Sequence, residues 1–152
     1  MNQDEYFMTQ ALVEAGRAGE LGEVPVGAVV VRGNEIIARA HNLREINRMA
    51  TAHAEVLAIE QACRVLGTWR LNDCTLYVTL EPCPMCAGAI INSRMGRVVY
   101  GAKDAKAGAM GSVLQMNSYP LNHKTELKSG VLPNECADVL RDFFEVKRRK
   151  KD

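Results

Sequence analysis

The middle of the sequence alternates between segments of strand and helix character. Cys74–Leu80 (CTLYVTL) and Arg97–Ala102 (RVVYGA) are rich in β-branched and aromatic residues, which is typical of strands. A helical segment from Pro82 to about Ser93 separates them, and another, from Thr51 to about Leu66, precedes the first. Strands that are joined through helices are connected by crossovers, and we expect them to pair with each other in parallel. The order therefore predicts an α/β fold with a mixed sheet between two layers of helices.

The flanking segments extend this layout at both ends. Val24–Val31 and Ile36–Ala40 surround a turn at Arg32–Glu35, which predicts a β-hairpin. Apolar residues at helical spacing predict an N-terminal helix (Met8, Ala11, Leu12, Ala15) and a C-terminal helix over Asn134–Lys150, with Val139, Leu140, Phe143 and Phe144 facing inward. Two polar or Gly-rich stretches, His41–Ala50 and Lys103–Ser118, are predicted as loops, the second with short helical pieces.

The overall composition is that of an ordinary globular protein. With 152 residues the chain is long enough to bury a core, and we expect residues 1–152 to form a single domain. No apolar run approaches the ~20 residues of a membrane span, and the acidic N-terminus MNQDEYFMTQ does not have the pattern of an export signal. We therefore expect a cytoplasmic protein without a membrane partner. Five cysteines, an odd number, argue against a disulfide framework and leave thiols available as metal ligands or core residues.

Two short motifs carry the candidate chemistry: TAHAE at Thr51–Glu55 and PCPMC at Pro82–Cys86. Cys83 and Cys86 are spaced i, i+3, so their thiols share one face of a helix. Near a helix N-terminus the dipole lowers the pKa of a thiol, and thiolate is the form that binds metal. We expect Pro82 near the first helical position and His53 just after an N-cap at Thr51. Two helix N-termini at the carboxyl edge of the sheet would then bring the three groups together.

One imidazole and two thiolates form a ligand set that suits Zn²⁺. His53, Cys83 and Cys86 make three ligands. Three protein ligands plus a water are the catalytic arrangement, whereas structural zinc sites are closed by four protein ligands. A catalytic zinc lowers the pKa of its bound water to about 7. Glu55, two residues after His53, can approach this water without binding the metal and move its protons.

Other interpretations of the same residues stay open at this point. A lone C-x-x-C also occurs as a redox pair. A structural zinc site would need a fourth ligand, for which the candidates are His41, His123, Cys63, Cys74 and Cys136. Glu55 can also be explained as a helix-start carboxylate favoured by the dipole, and Asn42 as a turn residue that closes the second strand.

Longer segments carry a resemblance that covers nearly the whole chain. They are HNLRE (His41–Glu45), TAHAE, GTWRL (Gly67–Leu71), TLYVTLEPCPMCAGAI (Thr75–Ile90), RVVYGAKDAKAGAMGS (Arg97–Ser112), LNH (Leu121–His123) and DFF (Asp142–Phe144). With these segments the chain resembles bacterial tRNA-specific adenosine deaminases of the zinc cytidine/deoxycytidylate deaminase superfamily. The H-x-E and P-C-x-x-C pair is the signature of zinc nucleobase deaminases. The resemblance implies a three-layer α/β/α, cytidine-deaminase-like fold with a mixed sheet of about five strands.

The function implied by the resemblance is hydrolytic deamination of adenosine to inosine at the wobble position of a tRNA anticodon. The resemblance implies one Zn²⁺ per subunit, held by His53, Cys83 and Cys86. It also implies attack of zinc-bound hydroxide on C6 of adenine, with Glu55 as the proton shuttle. The substrate-binding residues that it implies are Asn42, the backbone N–H of Ala54, and Val26.

The resemblance also implies a homodimer that binds the anticodon arm of tRNA. RNA contacts are expected from His123 and from Lys147, Arg148 and Arg149 in the basic tail, although the helix dipole and solvation alone also favour basic residues there. Two alternatives are kept. One is a free-base or nucleoside deaminase that acts on guanine or cytosine with the same zinc chemistry. The other is a non-catalytic RNA-binding module that keeps zinc for folding.

Overall fold

The computed structural model describes residues 1–151 and places a five-stranded sheet between two layers of helices. Its elements are α1 (Gln3–Glu20), β1 (Gly27–Arg32), β2 (Glu35–His41), α2 (Arg44–Asn47), α3 (Ala54–Leu66), β3 (Cys74–Leu80), α4 (Pro84–Asn92), β4 (Arg97–Ala102), a 3₁₀ turn (Met116–Ser118), β5 (Glu126–Lys128) and α5 (Pro133–Lys151). The predicted α/β architecture with a mixed sheet is confirmed. Among the described residues, no helix combines the length and the apolar character that crossing a bilayer requires.

The strand order of the sheet is β2-β1-β3-β4-β5. β1 pairs antiparallel with both of its neighbours, whereas β3, β4 and β5 pair in parallel. The crossover prediction is therefore right for β3 and β4. It is wrong for β2 and β3 as neighbours, because β1 lies between them and pairs with both. β2 and β3 still point the same way, so the helices that follow them begin at the same edge of the sheet.

Each face of the sheet has its own apolar core. α1 and α5 cover one face, where Met8, Val29, Tyr77, Val99 and Cys136 are buried together. α3 and α4 cover the other face, over a larger core that includes Ala58, Leu76, Ile90 and Val98. β1 is buried at five of its six positions, which fits a central strand covered on both faces.

Three local features differ from the sequence prediction. β5 has only three residues and lies where no strand was predicted. α2 forms a single helical turn within the stretch that was predicted as a loop. Phe144, predicted to face inward, is 44% exposed, whereas Phe143 is half-buried. Adjacent helical residues project about 100° apart, so the two rings cannot both face the same narrow contact.

Candidate active site

Two helix N-termini on the same face of the sheet form the base of the candidate site. His53 is the N-cap residue of α3 and Cys83 is the N-cap residue of α4. Their carbonyl oxygens accept the first helical hydrogen bonds, from the N–H groups of Leu57 and Ala87 at 3.1 and 2.8 Å. The predicted cap at Thr51 and the predicted helix start at Pro82 are therefore wrong by two residues. Pro84, which needs no N–H partner, is the proline in the first turn of α4.

The three predicted ligands lie together. The Nδ1 atom of His53 is 3.6 Å from Sγ of Cys83 and 3.4 Å from Sγ of Cys86. Cys86 is fully buried in the first turn of α4, and the other two side chains are half-buried. The three ligand atoms lie within 4.8 Å of one another, and this group could hold a metal ion.

Hydrogen bonds within the cluster set the protonation of the two thiols. The Cys86 thiol donates to Cys83, and this contact, together with His53, lowers the pKa of Cys83 to about 3 despite the opposing effect of burial. The same contact with Cys83 and burial raise the pKa of Cys86. The hydrogen bond to Cys83 also raises the pKa of His53. The two shifts run in opposite directions because they arise from the same contact. Because metal ligands must be deprotonated, metal binding would release any proton that the thiols hold.

Glu55 lies beside the cluster in the first turn of α3. Its side chain is 4% exposed. Burial raises the pKa of Glu55 to about 6, although its own backbone N–H and the charge of His53 oppose the rise. A carboxyl group with a pKa near 6 can both accept and donate a proton at neutral pH, which is what general acid–base catalysis requires.

A cavity of about 250 Å³ opens onto these residues. Its walls include His53, Glu55 and Cys83 and also the three predicted substrate-binding residues Val26, Asn42 and Ala54. This is slightly smaller than the roughly 300–1,000 Å³ of pockets for drug-sized ligands.

The residues that could supply the fourth ligand of a structural zinc site are engaged elsewhere. The ring of His41 contacts the carboxylate of Glu14 at 2.9 Å, and the ring of His123 donates to the carbonyl of Met95 at 2.8 Å. Cys74 and Cys136 are buried in the two apolar cores, and Cys63 packs against the larger of them. Within residues 1–151, only His53, Cys83 and Cys86 form a metal-ligand cluster. The cluster thus has the three protein ligands of an open site.

Comparison with protein-family models decides the family, because the model of MafB19-like deaminases matches residues 1–148. The chain is a member of this deaminase family. The tRNA-specific adenosine deaminase of Bacillus subtilis is 55% identical to it over 152 residues, which is 99% of this chain and 94% of that protein.

Solved structures of deaminases share the fold. A tRNA:A34 deaminase, studied for A-to-I editing at the wobble position, superimposes with a TM-score of 0.87 at 47% identity, over 89% of this deaminase and 99% of that chain. The guanine deaminase of Bacillus subtilis gives a TM-score of 0.65 at 35% identity, over 95% of each chain. The expected cytidine-deaminase-like fold is thereby confirmed.

The residues predicted to contact RNA lie in different places in the deaminase. Lys147 lines a cleft together with Glu23, Asn42 and Arg44, so it lies next to the main cavity. Arg148 and Arg149 are exposed on α5. The ring of His123 is half-buried and bonded to the Met95 carbonyl, and this histidine is not among the residues that line the cavity.

Sequence reasoning missed several wall residues of the deaminase cavity. Arg44 is the first residue of α2, Asp104 and Ala107 come from the loop after β4, and Glu81 directly follows β3. A signal for Glu81 was available, since a carboxylate that directly follows a mostly buried strand needs a polar partner if it is buried too. No local pattern marks the other three.

Proposed function

We propose that this deaminase converts adenosine to inosine at the wobble position of a tRNA anticodon by hydrolysis. The observation that carries the proposal is the meeting of His53, Cys83 and Cys86 with the buried carboxyl of Glu55 in one cavity. The relatives named above as tRNA deaminases supply the substrate class.

The metal that we propose is Zn²⁺, one per subunit. One imidazole and two thiolates are ligands that zinc prefers. With a Zn–N distance of about 2.0 Å and a Zn–S distance of about 2.3 Å, tetrahedral zinc holds nitrogen and sulfur about 3.5 Å apart. The observed Nδ1–Sγ separations of 3.4 and 3.6 Å match this spacing. When bound, zinc supplies a water whose pKa is lowered to about 7.

Glu55 is proposed to move the protons. Its buried carboxylate takes a proton from the attacking water and delivers it to N1 of adenine. A second proton then passes through Glu55 to the amino group at C6, which leaves as ammonia while oxygen stays on the ring. The pKa of about 6 that burial gives this side chain suits both directions of transfer.

Asn42, Ala54 and Val26 are proposed to hold the base. The Asn42 amide donates to the carbonyl of Val24 at 3.2 Å and accepts from the N–H of Arg44 at 3.2 Å. A primary amide has two donors and two lone pairs, so one of each is left for the base. The N–H of Ala54, in the first turn of α3, has no partner within the helix, and Val26 adds an apolar wall.

The proposed partner is the anticodon arm of tRNA. Lys147 lines the cleft beside Asn42, and we therefore propose it as the basic tail residue that contacts phosphate. Arg148, Arg149 and His123 remain further candidates. Because such contacts are electrostatic, RNA binding should weaken as salt rises. We further propose a homodimer of single-domain subunits in the cytoplasm. The half-exposed Trp69 and Leu121 are large apolar side chains available to a subunit interface.

A substrate comparison tests the reaction. Purified protein is incubated with total tRNA and, separately, with free guanine, cytosine and adenosine, and inosine is mapped in the RNA. We expect inosine at one anticodon position and no turnover of the free bases. The similarity to guanine deaminase favours guanine as the second candidate substrate. Rapid turnover of guanine with unreacted tRNA would replace the proposal by that alternative.

A single substitution separates an enzyme from a non-catalytic RNA-binding module. Glu55→Gln keeps the shape of the side chain but removes its ability to shuttle protons. We expect turnover to fall by about 10²–10⁴-fold, with bound zinc and RNA affinity unchanged. Glu60→Gln, an exposed carboxylate on the same helix, is the matched control. Full activity in Glu55→Gln would remove Glu55 from its proposed role.

A further inference from the structure

A buried carboxylate that the proposed chemistry does not use lies two residues before Cys83. Glu81 directly follows β3 and is 2% exposed. One of its oxygens accepts hydrogen bonds from the N–H of Asp104, at 3.1 Å, and from the Ser112 hydroxyl. The other accepts from the N–H groups of Met110 and Ser112, at 3.2 and 3.0 Å. All of these donors belong to the loop between β4 and the 3₁₀ turn.

The pattern of these contacts shows that both oxygens of Glu81 act as acceptors. Three of the four donors are backbone N–H groups, which cannot reverse their role. The Ser112 hydroxyl is the only partner that can rotate and accept instead.

The loop is shaped around this carboxylate. Gly108 has no room for a side chain, since a Cβ there would lie 2.4 Å from the Glu81 carboxylate and 2.5 Å from the Asp104 carbonyl. A second anchor is independent of the side chain, because the N–H of Ala109 donates to the Pro82 carbonyl at 2.8 Å. The middle of the loop therefore has two anchors outside itself, whereas the N–H of Asp104 is bonded to the Glu81 side chain alone.

The Asp104 end is the part of the loop that faces the substrate cavity. Asp104 and Ala107 line the same cavity as Val26 and Asn42, and Glu81 lines it too. The strand end that carries Glu81 continues directly into Cys83. One carboxylate thus connects the metal-ligand segment to the wall against which a substrate would lie.

We propose that Glu81 is a positioning residue that fixes Asp104 and Ala107 at the cavity wall and so sets the affinity for the RNA substrate. The proposal rests on the proposed function for the identity of the substrate. It assigns Glu81 no contact with the reacting atoms and no role in holding the metal.

Glu81→Gln is the decisive variant. The amide places its NH₂ group most favourably against the Ser112 hydroxyl, which can turn and accept, and this leaves the N–H of Asp104 without a partner. We expect the KM for an anticodon stem-loop to rise about tenfold, which is the effect of leaving one buried donor unpaired. The kcat should change little, and the zinc content should equal that of the wild type. Amide hydrogen exchange at Asp104 should accelerate, while exchange at Ala109 stays slow. A merely structural role would reduce the folded fraction, which lowers kcat at unchanged KM.

Two further variants keep the test informative. Gly108→Ala disturbs the same contact from the loop side and should reproduce the rise in KM. Ser112→Ala removes only the hydroxyl and keeps the three backbone bonds, so its KM should change much less than that of Glu81→Gln. Wild-type KM in both Glu81→Gln and Gly108→Ala, or loss of zinc and global unfolding in both, would overturn the proposal. If wild-type protein does not deaminate RNA, the proposed function fails, and exchange at Asp104 still decides whether Glu81 fixes the wall.

Discussion

His53 and Cys83 occupy the same position in two different helices. Each is an N-cap residue with extended backbone dihedrals, and their ligand atoms lie 3.6 Å apart. An N-cap side chain lies beside the free N–H groups of the first turn, where the helix dipole stabilises negative charge. The two helices therefore present one imidazole and one thiolate to the same point, and Cys86 completes the set from within the first turn of α4.

Loss of one ligand should remove the metal. Cys86→Ala is expected to weaken zinc binding by more than the ~10–100-fold that follows loss of a supporting hydrogen bond to a ligand. Zinc per chain is measured by elemental analysis after dialysis against a chelator. Cys63→Ala is the control, since this thiol is half-buried on α3 outside the cluster. Wild-type zinc content in Cys86→Ala would rule out the proposed ligand set.

Local patterns were sufficient to predict which candidate ligand side chains lie together, but not the sheet order. The i, i+3 spacing of Cys83 and Cys86 and the strand-to-helix boundaries around them are encoded within a few residues. The position of β1 between β2 and β3 depends on pairing of Ala28 with Val78, a contact across fifty residues that no local pattern contains. β5 is too short to show alternation, and the contacts of Glu81 depend on the folded path of a loop that lies 23 to 31 residues later.

Burial of Glu55 should make the metal-free protein less stable at neutral pH. Its pKa is raised from 4.5 to about 6, so the folded state favours the protonated form. The destabilisation is absent below pH 4.5 and complete above about pH 6. Relative to wild type, Glu55→Gln should gain about 2 kcal/mol between pH 4.5 and 7.5, at about 1.4 kcal/mol per pH unit of pKa displacement. Urea unfolding of metal-free protein across this range measures the gain.

The control for this prediction is Glu60→Gln, which changes an exposed carboxylate on the same helix. A stability difference between Glu55→Gln and wild type that stays constant from pH 4.5 to 7.5 would contradict the effect of burial.

Asp4 in α1 bonds to strand residues far along the chain. Its replacement should lower the free energy of unfolding in a pH-dependent way. Arg97 donates to it through two nitrogens at 2.9 Å, and Lys128 and the Tyr77 hydroxyl also donate. The hydrogen bonds from Arg97 contribute most to holding the pKa of Asp4 well below its ordinary 3.8. The stabilisation is present above that value and is lost as pH falls towards the lower pKa of the folded state.

Asp4→Asn should therefore lower the free energy of unfolding at pH 7 by about 1.5–3 kcal/mol, and the difference from wild type should shrink below about pH 3.8. Chemical denaturation at pH 7 and pH 3 gives both values. Asp73→Asn is the matched control, because the ion pair of Asp73 with Arg32 is exposed and pairs of that kind contribute about 0–1 kcal/mol. Equal losses in the two variants would show that the Asp4 contacts are no stronger than a surface pair.

Two glycines near α1 should respond to alanine in opposite directions. At Gly27, the first residue of β1, a Cβ would lie 2.1 Å from the Ala11 carbonyl oxygen and 2.4 Å from the Ala15 nitrogen, both backbone atoms of α1. The helix would have to move off the strand, so Gly27→Ala should lower stability by about 1–3 kcal/mol or more. At Gly16, inside α1, nothing lies within 4 Å of a Cβ, and Gly16→Ala should raise stability by about 0.5–1 kcal/mol. Thermal unfolding of both variants measures the two changes. A loss of stability in Gly16→Ala as large as that in Gly27→Ala would contradict the prediction, because only Gly27 lies against the backbone of α1.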